Sequence, residues 1–181
     1  MASRRTFILV VGTGRCGTSE VREILEDNGV DVGHRFHLPD KFNTRGYFED
    51  RDFQDLNVMF YIIGLDKKDN PKELDMWRGR FDKLVKSKKG LWGVKDPGIA
   101  DFPKLLNEYL RYKPHVIWCK RNREDTIQSF KRFRNLSLKE ATHIYENRQK
   151  NLEDALKDYL EIDCYSLDKE KVICNFIKSL V

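Results

Sequence analysis

The chain has 181 residues, a length that suits one domain with a substantial core. Its 40% hydrophobic and 35% charged residues exclude a disordered chain. Thirty-four Lys and Arg against 29 Asp and Glu leave a net charge of +5, which favours anionic ligands. The basic residues are dispersed and no nucleic-acid recognition motif is present, which argues against nucleic acid as a partner. No apolar run approaches the roughly 20 residues that span a bilayer, and the short one after Arg4 and Arg5 is too short for a signal peptide. Cys16, Cys119, Cys164 and Cys174 form no Cys-x-x-Cys pair and no zinc spacing, so free thiols and a cytoplasmic location are expected.

Residues 7–11 (Phe-Ile-Leu-Val-Val) form a short apolar run rich in branched side chains, as in a strand buried on both faces. A glycine-rich loop follows, and Val21, Ile24 and Leu25 then mark a helix that Asn28-Gly29 would end. Residues 30–51 read as a long loop. Phe53, Leu56, Phe60 and Ile63 recur at helical spacing, which predicts a helix from near Asp52. Residues 64–90 are charged and weakly patterned, with Asn70-Pro71 read as a turn. Residues 91–94 are a second strand, and Phe102, Leu105, Leu106 and Tyr109 share one face of a helix closed before Pro114. A third strand at 115–119 and a helix at 124–134 come next. Ser137-x-x-Glu140 is a capping box opening a helix to about Leu160. Residues 162–165 are an edge strand, and Asp168 caps a last helix carrying Val172, Ile173, Phe176, Ile177 and Leu180. Strands alternating with helices predict one α/β domain over residues 1–181, with a mainly parallel sheet and a ligand site at the strands' carboxyl ends.

The loop Gly12-Thr13-Gly14-Arg15-Cys16-Gly17-Thr18-Ser19 lies between a buried strand and a helix N-terminus, where backbone N–H groups and the helix dipole suit a phosphate or sulfate. Gly12 and Gly17 match the Walker A pattern, but Thr18 stands in place of its lysine, which weighs against an ordinary ATP kinase. Arg15 is the nearest replacement cation. Cys16 and Arg22 reproduce a thiol-phosphatase spacing, although Cys16 is too far from the strand and Arg22 belongs inside the helix. A helix N-terminus could lower the Cys16 pKa; a small residue tolerated in a turn is the plainer reading.

The loop resembles the 5′-phosphosulfate loop of sulfotransferases that use 3′-phosphoadenosine 5′-phosphosulfate (PAPS), with its Lys or Arg, small residue, Gly and Thr/Ser pair. Arg121-Asn122-Arg123-Glu124-Asp125 and Ser129 resemble that family's Arg-Asn-Pro-Arg-Asp and serine, with the arginine and serine eight apart. Trp92-Gly93-Val94-Lys95-Asp96-Pro97 resembles the strand that ends in a lysine near the transferring group, and Gly46-Tyr47-Phe48-Glu49 a Gly-aromatic-aromatic-Glu segment of bacterial members.

These motifs span about residues 6–133, and the resemblance implies a three-layer P-loop NTPase-like fold and transfer of a sulfuryl group from PAPS, leaving PAP, without a metal. It implies that Gly14, Arg15, Cys16, Gly17, Thr18 and Ser19 hold the 5′-phosphosulfate and that Arg121 and Ser129 grip the 3′-phosphate, as a planar guanidinium and a hydroxyl can. Lys95 would steady the leaving oxygen and Glu49 would take the acceptor's proton, helped if burial raises its pKa. Pro97 stands where many members have a catalytic histidine, so Asp50, Asp96, His34 and His37 are alternative bases, and Glu49 or Asp50 could instead cap the next helix. The chain lacks the family's C-terminal Arg-Lys-Gly segment, and Glu20 replaces its adenine-stacking tryptophan. The implied acceptor is a small molecule or glycan. A P-loop kinase and a non-catalytic PAP- or nucleotide-binding module are the alternatives.

Overall fold

Side chains alternate along β1 (Thr6–Gly12), and this divides the molecule into two cores. In the computed structural model, which describes residues 5–34, 49–62 and 70–181, Phe7, Leu9 and Val11 face one side and Ile8 and Val10 the other. All five are buried, as a central strand of a parallel sheet requires. β2 (Leu91–Lys95) pairs with one edge of β1 and β3 (His115–Lys120) with the other, and β4 (Tyr159–Asp163) extends the sheet beyond β3. Every pairing is parallel, in the order β2-β1-β3-β4. The connections from β1 and from β2 leave in opposite directions, so the carboxyl ends of β1 and β3 flank a topological switch point, where such sheets open a crevice.

The first face is aromatic. Helices α2 (Arg51–Ile62), α3 (Pro71–Ser87), α4 (Pro103–Arg111) and α6 (Leu138–Ala155) lay Phe53, Trp77, Phe81, Tyr109 and Leu152 onto it. Phe7 stacks on Trp92 at 4.1 Å between ring centroids, continuing this face across β1 and β2. On the second face α1 (Thr18–Asp27) and α7 (Lys169–Leu180) pack Val21, Leu25, Ile173 and Ile177 against Ile8, Val10, Ile117 and Ile162. Helix α5 (Arg123–Arg134) leans on α6 through Ile127, Phe130 and Ala141.

The expected helices and the first three strands are present; the last strand runs over 159–163 instead of 162–165, and four further corrections follow. Asn70-Pro71 starts a helix instead of turning the chain: Asn70 accepts a hydrogen bond from the Glu73 N–H, and Pro71 takes the first helical position, where a missing N–H costs nothing. Its 17 residues bury Trp77 and Phe81, and the Trp77 Nε1–H donates to the Leu56 carbonyl at 2.9 Å. α6 has the expected capping box but stops at Ala155, because Tyr159 and Leu160 pair with Val116 and Ile117 and sheet pairing overrides the helical pattern. Asp168 occupies the N-cap of α7 without making a side-chain cap bond. Within the expected loop after α1, Asp31 forms a parallel bridge to Trp92, with Val30 and Val32 buried beside it. Ile63, His37 and the motif residues 46–48 lie outside the described residues.

Candidate active site

The loop between β1 and α1 is shaped by three residues in left-handed backbone conformations, Gly14 (φ 89°), Arg15 (φ 57°) and Gly17 (φ 83°). A Cβ on Gly14 would come within 2.8 Å of Arg148 Nη1 and 3.2 Å of the Phe130 ring, so the loop closes only around glycine there. Arg15 holds a conformation uncommon for a residue with a Cβ, a local cost of the kind that gathers at functional sites. Gly17 is the N-cap of α1 and has no side chain to accept from the first-turn N–H groups; the Glu20 N–H donates to the Gly17 carbonyl at 3.0 Å, and an external anion would meet those of Thr18 and Ser19.

A cleft of about 450 Å³ opens beyond the carboxyl ends of β1, β2 and β3. Gly14, Arg15, Gly17, Thr18 and Ser19 line it from the loop, Lys95 and Asp96 from the end of β2, Glu49 from the chain entering α2, and Arg121 from the end of β3. Residues more than a hundred positions apart in the chain thus meet at the place the parallel sheet prescribes. Lys95 and Glu49 are both buried and form an ion pair through Nζ and Oε1. Arg15 Nε donates to Ser129 Oγ at 3.1 Å, and its guanidinium lies over the Phe133 ring. Arg121 Nη1 donates to the Arg15 carbonyl at 3.2 Å while its guanidinium lies over Tyr165. Its buried Nε has no hydrogen-bond partner among the described residues.

The other candidates separate. Asp96 is buried; Oδ1 accepts from the Gly98 N–H at 2.9 Å, capping the short 3-10 turn Pro97–Asp101, and Oδ2 accepts from Asn57 Nδ2. Asn57 in turn accepts from the Tyr109 hydroxyl. Burial, then the nearby Glu49 carboxylate, pushes the Asp96 carboxyl up to about 6, and Lys95 opposes them. Asp50 turns away from the cleft: it accepts from the Asp52 N–H at 2.9 Å and packs against Gly33, so for Asp50 the capping role is the observed one. His34 is exposed and outside the cleft lining.

The prospect of a reactive Cys16 is overturned. Its side chain points into the second core, and burial, then the neighbouring Cys164, pushes the thiol up to about 11. Only its backbone remains near an anion at the loop. Arg22 sits inside α1 and pairs with Glu26 at 2.5 Å, which removes the phosphatase alternative as well.

Arg148 was invisible to motif reading. From α6 it grips Asp101 with Nε and Nη2, donates from Nη1 to the Thr13 carbonyl at 2.8 Å, and lines the cleft behind Gly14. The signal was present: Ala141, Tyr145, Arg148 and Leu152 follow helical spacing, and an arginine in an inward stripe needs a buried partner. Phe130, Phe133 and Arg134 of α5 complete the wall on that side.

A four-stranded parallel sheet with a glycine-rich loop between β1 and the helix N-terminus defines a P-loop α/β fold. Solved structures bear this out. The sulfotransferase domain of the Synechococcus PCC 7002 olefin synthase superposes with a TM-score of 0.62 at 18% identity, covering 99% of this chain and 74% of that one. The sulfotransferase domain of the curacin biosynthetic pathway gives 0.61 at 13%, covering 98% and 75%. Shikimate kinase from Bacteroides thetaiotaomicron gives 0.57 at 8%, covering 97% of both chains. The chain matches no protein-family model and no curated protein. The likeness is to P-loop folds that carry either chemistry, and it extends to the fold alone.

Proposed function

We propose that residues 1–181 form a single-domain sulfotransferase that moves a sulfuryl group from PAPS to a hydroxyl or amine of a small molecule or glycan, releasing PAP. The observation that carries this reading is the set of cations around the loop. Thr18 stands where an ATP site has its lysine, and Arg15, Lys95 and Arg121 reach the cleft from three different segments. The Arg121 Nε, without a partner among the described residues, and the N-terminus of α1 at Thr18 and Ser19 fit a polyanionic nucleotide. Bound PAPS supplies an activated sulfur with a phosphate as its leaving group.

The chain's own residues divide the remaining work. The first-turn N–H groups of α1 and Arg15 hold the 5′-phosphosulfate, and Arg121 with Ser129 selects a 3′-phosphate. Glu49 Oε accepts the acceptor's proton as the acceptor oxygen bonds to sulfur and the bridging sulfur–oxygen bond breaks. Lys95 Nζ holds the charge that develops on the departing oxygen.

Calorimetric titration with PAP, ADP and ATP, each with and without Mg²⁺, tests the reading. Metal-independent PAP binding much tighter than ADP binding is the expected result, with the difference lost in Arg121→Ala. Equal affinity for PAP and ADP sinks the 3′-phosphate assignment. Mg²⁺-dependent ATP binding would transfer the site to the kinases, and PAP binding without turnover of PAPS to a non-catalytic module.

A further inference from the structure

Arg148 is buried on α6, and all three of its guanidinium nitrogens donate hydrogen bonds within the protein. Nε and Nη2 fork onto the two carboxylate oxygens of Asp101, and Nη1 donates to the Thr13 carbonyl at 2.8 Å. Asp101 ends the 3-10 turn that begins just after Lys95 and Asp96. Asn151, three residues further along α6, donates to the Ala100 carbonyl of the same turn at 2.9 Å. α6 is therefore seated on that turn at two successive points, and the guanidinium reaches from the turn to the loop. There it lies over the Phe130 ring and against Gly14. Asp101 balances its charge, so the pair as a whole offers an anion little attraction.

We propose that Arg148 is a positioning residue for the loop: it fixes the Thr13–Gly14 peptide, and anion binding depends on that fixed peptide more than on the arginine's charge. Gly14 sits at φ 89°, and glycine takes either sign of φ with similar ease, so the local sequence does not hold this peptide still. The peptide is planar, so pinning the Thr13 oxygen also sets the direction of the Gly14 N–H. A free carbonyl beside the cleft would oppose an anion with its partial negative charge, and a guanidinium bonded to it offsets that charge. Arg121 holds the Arg15 carbonyl in the same way. The two arginines differ in what remains: Arg121 keeps an Nε without a partner among the described residues, whereas each nitrogen of Arg148 already has one. This role needs only an anion at the loop, so it holds for sulfuryl and phosphoryl transfer alike.

The test is calorimetry with inorganic pyrophosphate, ADP and PAP on wild type, Arg148→Met and Asp101→Ala, at a temperature where melting curves show each variant folded. Methionine keeps an unbranched apolar stem and removes the donors. Arg148→Met should weaken all three ligands by a similar factor, about 10–100-fold, whereas Arg121→Ala should cost ADP far less than PAP. Asp101→Ala separates position from charge. Removing a carboxylate makes the site more positive, which by charge alone strengthens anion binding; removing the anchor of Arg148 weakens it. The Asp101 side chain is 41% exposed, so water screens its charge and the lost anchor dominates. A loss of about 3–10-fold is therefore expected. Unchanged or stronger binding in Asp101→Ala overturns the proposal, as does an Arg148→Met protein that melts lower yet binds pyrophosphate like wild type. If Arg148→Met does not fold, the sign of the Asp101→Ala change decides alone. PAP and ADP bound equally, with both variants weakened, leaves the positioning role standing and removes the PAPS reading. Selective PAP binding with both variants like wild type does the reverse, and no binding of any of the three ligands removes both.

Discussion

The two walls of the cleft are built on opposite electrostatic plans. On the β3–α5 side, Arg121 is held by a main-chain carbonyl and an aromatic face, contacts that orient a guanidinium, and Arg15 donates to a serine hydroxyl. On the β2–α2 side, Lys95 is neutralised by Glu49 with Asp96 beside them. A wall of oriented guanidinium groups suits holding a polyanion. A wall of paired charges suits moving a proton, because a small displacement of one member changes the proton affinity of the rest. The aromatic core lies beneath the second wall, and the Asp96–Asn57–Tyr109 chain ties the two together.

This contrast can be broken in several ways. The largest expected effect is on chemistry: Glu49→Gln should lower the release of PAP from PAPS, with water as the only acceptor, by about 10²-fold or more, while PAP affinity stays the same or rises. Unchanged release would remove the second wall from the reaction. Next is a pH effect on stability. The folded Asp96 carboxyl at about 6 binds its proton more tightly than an unfolded one near 3.8, so acid favours the native state across that window. Wild type should therefore lose on the order of 2–3 kcal/mol relative to Asp96→Asn as pH rises from 4 to 7, read from urea midpoints. On the first wall, Arg121→Ala should weaken PAP about 10–100-fold and ADP far less, the size of a lost charge-assisted hydrogen bond. Ser129→Ala removes a neutral acceptor from Arg15 Nε, and a loss of about 3–10-fold in PAP affinity is expected by the same calorimetry.

The fold was legible because its signals are local. An unbroken apolar run at 7–11, glycines before a helical stripe and the capping box at Ser137 each constrain the backbone through neighbours in sequence, and β1, α1 and the start of α6 appear where they predict. Helix α3 was missed for a local reason too, since Asn70-Pro71 serves a turn or a helix start equally well. The end of α6 was misplaced because Tyr159 and Leu160 answer to β3, more than forty residues earlier.

At the site, the sequence by itself determined the loop: glycines at 14 and 17 and threonine in place of the Walker lysine depend only on local backbone and composition. Tertiary structure decided the rest. It sent the Cys16 thiol into the core, turned Asp50 to its own backbone, and brought Glu49 onto Lys95 and Arg148 behind Gly14. A side chain's charge can be read from its identity, but its partner cannot. Partners are chosen by which strand ends and helix faces meet in space, and ionisation at this site is set by those partners and by burial.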